Sequence, residues 1–195
     1  MGKRVILITG TPCIGKTTIA KKLAAKLGAL YINLTELAHK NNLTLGEDEQ
    51  RKTTIIDEEK MQTKIAETVG TTGKHDIIID GHYAVAVTPK TIVTRIFVLR
   101  RNPIELRRLM EKRDYSGAKL WENLASEILD VCLVEALRMH YKEKVCELDI
   151  TGKTANVITN QILSILNENK SCPSSSVDWL GMLETQGILD QYLNF

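Results

Sequence analysis

The chain has only four cysteines, and no two of them stand in C-x-x-C spacing. Cys13, Cys132, Cys146 and Cys172 are scattered through 195 residues. That pattern offers no disulfide framework and predicts a reduced, cytoplasmic chain. No apolar run approaches the roughly 20 residues of a membrane-spanning helix. The first residues pass into a strand-like run rather than a signal peptide, which fits the same expectation. An excess of one charge is also missing. The 26 Lys and Arg residues against 24 Asp and Glu leave a formal charge of +2, too little to call for a nucleic-acid surface. No sequence-specific nucleic-acid motif and no internal repeat is found. What remains, with 43% hydrophobic residues, is enough for one domain with a good core.

Short runs rich in Ile, Val and Leu predict strands buried on both faces at Val5–Thr9, Ile77–Asp80, Arg95–Leu99 and Val145–Ile150, with Leu30–Leu34 as a fifth. Helical patterns alternate with them at Lys16–Leu27, Glu58–Val69, Pro103–Arg113, Leu120–Lys144 and Ala155–Asn167. That order predicts an α/β fold with a doubly wound, five-stranded parallel sheet. After Asn169 comes "KSCPSSS", read as a linker. The stretch after it holds Trp179, Leu180, Leu183, Ile188 and Leu189 in amphipathic spacing; Trp179, Leu180 and Leu183 are too apolar to stay fully solvated and are expected to dock, on this domain or on a partner. The organisation expected is therefore a domain over 1–169 followed by a linker and tail over 170–195.

Residues 10–17 read "GTPCIGKT" between the first strand and the first helix. A loop of this spacing turns its backbone N–H groups around a phosphate chain, and glycine is needed where a Cβ would block the approach. Gly10 and Gly15 take those places. The helix N-terminus adds free amides and the positive end of its dipole. Lys16 then reaches the outer phosphates and Thr17 ligates magnesium. Strand, loop and helix in register make a chance match a poor explanation.

Such a loop does not separate kinases from GTPases or motor ATPases. The chain has no N-K-x-D segment for reading guanine and no long insertion after the loop, which argues against a GTPase. "IFVLRRNPIELRRLMEKR" brings Arg107, Arg108 and Arg113 toward one end of a proline-started helix. Small-molecule kinases place such guanidiniums on a lid that clamps the transferred phosphoryl group. A solvated basic helix is the plainer reading. Asp80 closes the strand "DIIID", where its carboxylate suits magnesium held through a water; a strand-end turn residue fits too. Arg51, in "GEDEQRKTT", is the choice for gripping an acceptor phosphate, though a solvated arginine fits the same pattern.

The loop, together with "YINLTELA", "IIDEEK", "IIIDGH", "VLR" and above all "DYSGAKLWENLASEILDVCLVEA" at 114–136, closely resembles the adenylate kinase isoenzyme 6 family in its archaeal type. The resemblance covers Arg4 to Leu166. It implies the P-loop nucleoside monophosphate kinase fold, with a short acceptor-nucleotide module at about 33–57 and a short lid at about 112–122. It implies a Mg²⁺-dependent ATP:AMP phosphotransferase with intrinsic ATPase activity that assists small ribosomal subunit assembly. Its partners would be ATP, AMP, a small-subunit ribosomal protein and pre-ribosomal particles, with no membrane. Carried over, the phosphate loop falls on Cys13, Gly15, Lys16, Thr17 and Thr18, and the lid arginine on Arg113. A histidine linked to ATPase turnover falls on His82, and a base-contacting lysine on Lys153, which would otherwise be an ordinary surface lysine. A nucleotide-switched assembly ATPase and a kinase of another small acceptor stay open as alternatives.

This chain departs from the family in places. Cys13 stands where glycine is usual, Asp114 interrupts an Arg-Gly-Tyr at the lid, and "DGHYAVAV" replaces a longer aromatic-rich segment. A thiol beside Lys16 and a helix N-terminus is expected to be more reactive than an ordinary buried cysteine.

Overall fold

The computed structural model describes residues 2–48, 53–167, 172 and 177–193. In chain order the first half runs β1 (Arg4–Thr9), α1 (Lys16–Leu27), β2 (Leu30–Asn33), α2 (Leu34–Lys40), β3 (Thr44–Asp48), β4 (Thr53–Ile56), α3 (Glu58–Thr71), β5 (Asp76–Asp80) and α4 (Ala84–Val87). The second half runs β6 (Val93–Arg100), α5 (Pro103–Glu111), α6 (Gly117–Ile128), α7 (Val131–Met139), β7 (Val145–Asp149), α8 (Ala155–Asn167) and α9 (Trp179–Thr185).

Five strands form one parallel sheet in the order β2-β5-β1-β6-β7. This is the α/β fold with a doubly wound parallel sheet. Strand alternation divides its core into two layers. Ile6, Ile8, Ile78, Phe97, Leu99 and Leu148 face one layer, closed by α1, α8 and α6. Val5, Leu7, Ile77, Ile79, Ile96 and Val98 face the other, closed by α3, α4 and α7. Both faces are covered, so these strands read as mainly apolar runs, interrupted by Thr94 and Arg95 in β6 and Glu147 in β7. Winding reverses direction beside β1. That places the loop following β1 at the carboxyl edge of the sheet, where open α/β sheets bind ligands.

The α1 boundary follows from its caps: Gly15 precedes it, and Gly28 ends it in the left-handed region at φ 60°. Elsewhere the structure corrects the sequence reading. The stretch Leu120–Lys144 is not one helix. It breaks at Asp130, which sits at φ 58° and ion-pairs with the buried Arg100. Asp tolerates that conformation better than most side chains, and an ion pair from a strand 30 residues away outweighs helical periodicity. The second strand stops at Asn33, whose side chain caps α2 by accepting from the Glu36 N–H at 3.0 Å. β3 and β4 form an antiparallel hairpin that the sequence reading left unassigned.

Cys146 and Cys172 are disulfide-bonded, so the expectation of four unpaired thiols does not hold. Pairing depends on where the chain returns, which spacing does not reveal. The bond ties β7 to the approach of the C-terminal segment. That segment docks on this domain: Leu183 and Tyr192 are buried in the layer that holds α6, Trp179 is buried with its indole on Glu127 of α6, and Leu180 stays 39% exposed. The Cys172→Ser variant should lose about 3.5 kcal/mol, the chain-entropy value for a closed loop of this length spanning 26 residues. Urea denaturation of the oxidised protein and the variant checks this, and equal midpoints would refute it.

Candidate functional site

The loop between β1 and α1 is built largely from backbone. Gly10 has φ 132°, and a Cβ there would lie 2.4 Å from the Leu99 carbonyl oxygen, so only glycine fits. Gly15 caps α1 at φ 107°. Cys13 is also left-handed, at φ 68°. That accounts for the family's glycine at this position, and the thiol is carried there at a conformational cost.

Lys16 is only 8% exposed, and its ammonium donates to the Thr11 carbonyl at 2.8 Å. Burial lowers its pKa, opposed by the surrounding acidic groups. Thr17 and Thr18 are exposed at the start of α1. The Thr17 hydroxyl donates to Asp80 Oδ2 at 2.8 Å. The same oxygen accepts from the Tyr31 hydroxyl at 2.8 Å and the Asn33 side-chain amide at 3.1 Å. Asp80 is almost wholly buried, and three neighbours on two elements, α1 and β2, hold its carboxylate in place.

His82 follows on the loop after β5, and its carbonyl accepts from the Thr9 hydroxyl at 3.0 Å. The residue is exposed to solvent, although protein atoms crowd around its ring. Crowding and the Lys16 charge hold the imidazole below its ordinary value, at about 4, so it is neutral at pH 7.

The structure thus brings Gly10, Cys13, Gly15, Lys16, Thr17, Thr18, Asp80 and His82 to one edge of the sheet. Arg113 lies exposed in the turn between α5 and α6, next to Tyr115. Asp114 after it has φ 61°, again where the family carries glycine. Lys153 is exposed, with its ammonium turned back onto the Asp149 carbonyl at 2.6 Å. Arg51 lies outside the described residues. Arg107, counted with the lid arginines in the sequence, pairs with Glu111 and lies over the rings of Trp121 and Tyr192, so it serves helix packing.

Sequence reasoning missed the polar support beneath the loop. Arg100, 1% exposed, donates to Glu127 at 3.0 Å and Glu147 at 2.6 Å and pairs with Asp130. Arg101 donates from Nε to the Ile14 carbonyl at 3.1 Å, inside the loop itself. The available signal was "VLRR", two cations directly after the buried apolar run Ile96–Leu99.

The thiols also differ. Cys132 is crowded, and burial pushes its pKa up to about 11. Cys146 and Cys172 are paired, and Cys13 is half-buried in the loop beside the Tyr115 phenol. Iodoacetamide is therefore expected to modify Cys13 alone, and ATP at ten times its Kd to slow the reaction about tenfold by occupancy. Peptide mapping with and without magnesium-ATP checks this; equal labelling of Cys13 in both samples would remove it from the site.

Among the described residues no group of three or more His, Cys, Asp or Glu side chains is placed to hold a metal ion, and no helix is long and apolar enough to cross a membrane. The AAA domain family model matches residues 6–130. A protein of Methanococcus maripaludis described as "Putative adenylate kinase" is 36% identical over 90% of this chain and 95% of its own length. Proteins of the same description from Methanocaldococcus jannaschii and Pyrococcus furiosus are 38% and 34% identical, covering 89% and 92% of this chain and 92% and 93% of their own. Among solved structures, a shikimate kinase from Acinetobacter baumannii bound to shikimate superposes with a TM-score of 0.63 at 15% identity, covering 86% of this chain and 95% of that one. Thymidylate kinase from Candida albicans gives 0.56 at 18% identity, covering 86% and 92%. The latter two establish the P-loop kinase fold. With relatives this similar over nearly its whole length, the chain belongs to the AAA-domain family and to the family of these proteins described as "Putative adenylate kinase".

Proposed function

We propose that the protein is an ATP:AMP phosphotransferase of the isoenzyme 6 type, acting in the cytoplasm with magnesium as cofactor. The observation that carries this reading is the convergence of Lys16, Thr17 and Asp80 on one backbone-built anion loop. Thr17 and Asp80 are hard oxygen donors 2.8 Å apart, a pair that fits magnesium, with Asp80 acting through a water. When bound, the ion neutralises charge on the β and γ phosphates.

The chain's own groups position the reactants and spread charge. ATP phosphates enter the loop between Gly10 and Thr18. Lys16 leaves the Thr11 carbonyl for the phosphate oxygens. The acceptor phosphate, gripped by Arg51, attacks the γ-phosphorus in line as the bond to the β–γ bridging oxygen breaks and ADP leaves, and Arg113 on the lid takes up equatorial charge. Lys153 contacts the base. Closing the 112–122 segment excludes water, which protects the phosphoryl group from hydrolysis. A coupled assay of ADP formed from ATP and AMP tests the reading; ADP production indifferent to AMP would overturn it.

His82 supports a second activity. A neutral imidazole after β5 can accept a hydrogen bond from water at pH 7, which would suit orienting an attacking water for ATP hydrolysis. With the family resemblance, this supports an ATPase whose nucleotide state switches binding to a small-subunit ribosomal protein during assembly of pre-ribosomal particles. Stimulation of hydrolysis by such a protein tests that role; a rate unchanged by it argues against it. A kinase of a different small acceptor remains the third reading, decided by acceptor screening.

A further inference from the structure

Glu127, at the end of α6, is 2% exposed, and its carboxylate carries four hydrogen bonds from three places in the chain. Oε2 accepts from the Thr11 hydroxyl of the phosphate loop at 2.5 Å. Oε1 accepts from Arg100 Nε at 3.0 Å, the Arg101 backbone N–H at 2.9 Å and the Trp179 indole N–H at 3.1 Å. Thr11 in turn offers its carbonyl to Lys16 at 2.8 Å. One buried carboxylate therefore joins the loop that parks Lys16 to the helix at the C-terminal end of the chain.

Several contacts hold that helix. Asp178 caps α9, Asn102 donates to the Met182 sulfur at 3.2 Å, Arg107 lies over the Tyr192 ring, and the Cys146–Cys172 bond anchors the approach. Packing and capping account for why α9 docks. They do not require an indole N–H aimed at a carboxylate that a loop threonine also uses. In a buried network, removing one donor shifts the strength and position of the rest.

We propose that Trp179 is a positioning residue of the nucleotide site, acting through Glu127 on Thr11 and so on the resting place of Lys16, which couples docking of the C-terminal segment to nucleotide binding. This rests on the reading that the loop holds nucleotide, and it is independent of which acceptor is used. Linkage makes the coupling reciprocal: what the segment contributes to ATP binding, ATP returns to its docking.

The test uses the full chain and ATP binding measured by calorimetry without acceptor. Trp179→Phe keeps the ring packing and removes the donor, and Thr11→Val removes the hydroxyl at the other end. Each is expected to weaken ATP binding about three- to tenfold. The double variant should fall short of the product because both act on Glu127. Thr11→Ser, which keeps the hydroxyl, should restore affinity. Magnesium-ATP should slow hydrogen exchange across 177–193 in the wild type, a readout that survives if a variant folds poorly. A purely structural Trp179 would lower the melting temperature yet leave ATP affinity at the wild-type value and exchange in 177–193 unchanged by ATP. That outcome overturns the inference. ATP binding without transfer to AMP overturns the acceptor reading alone, and failure of the wild type to bind ATP overturns both.

Discussion

Lys16→Met is expected to lower phosphoryl transfer by about 10²- to 10³-fold, the scale set by removing one pre-organised charge-stabilising donor. The rest of the anion site is backbone, which the substitution leaves in place. Stability should move the other way. Burial depresses the Lys16 pKa, so its charged form costs folding free energy at neutral pH, and an unbranched apolar side chain relieves that cost. The melting temperature is therefore expected to hold or rise while activity collapses. ADP formation and a thermal melt on the same sample check both halves. Activity within a few-fold of wild type would remove Lys16 from the chemistry, and a collapsed melt would make it a structural residue.

Arg100→Met should produce the largest loss of stability, about 3–5 kcal/mol. The methionine fills much of the same space. It leaves Glu127, Glu147 and Asp130 facing one another with no guanidinium among them. Burial already pushes the Glu147 carboxyl above its ordinary range, and losing the cation pushes it further. An acid whose folded pKa is raised is stabilising when protonated, and that contribution fades as pH climbs through the folded value. The deficit of the variant should consequently shrink when denaturation is measured at pH 5 instead of pH 7. A deficit equal at both pH values would mean the carboxylates had found other partners.

The contrast between Lys16 and Arg100 shows what a sequence exposes and what it hides. The phosphate loop is local. Its glycines, its lysine and the helix it opens are consecutive, and each part is dictated by backbone geometry that spacing reports directly. The sheet was readable for a related reason, since strands covered on both faces must be apolar along their length. Arg100 obeys a different logic, because its three carboxylate partners lie 27, 30 and 47 residues away. The same long-range pairing broke the helix at Asp130, and the Cys146–Cys172 bond likewise needed the return path of the chain. Arg107 misled for the opposite reason: a basic residue near a lid reads as a phosphate ligand, yet aromatic rings from α6 and the C-terminal segment claim it. Cys13 and Asp114 stood out only as departures from a family pattern, and their left-handed backbone gives those departures a physical meaning.

The place of β1 in the sheet also fixes an order of events during synthesis. The strand that carries the phosphate loop leaves the ribosome before its partners, which begin at Asp76 on one side and Val93 on the other. At about 5–20 residues per second, the 72 residues from Arg4 to Asp76 take roughly 4–14 s. Through that interval the apolar run Val5–Ile8 has no ladder on either edge, and chaperones or other nascent chains compete for it. The segment of greatest chemical consequence is therefore the one longest unprotected at birth, and substitutions that slow translation between β1 and β5 should cost yield before they cost activity per folded molecule.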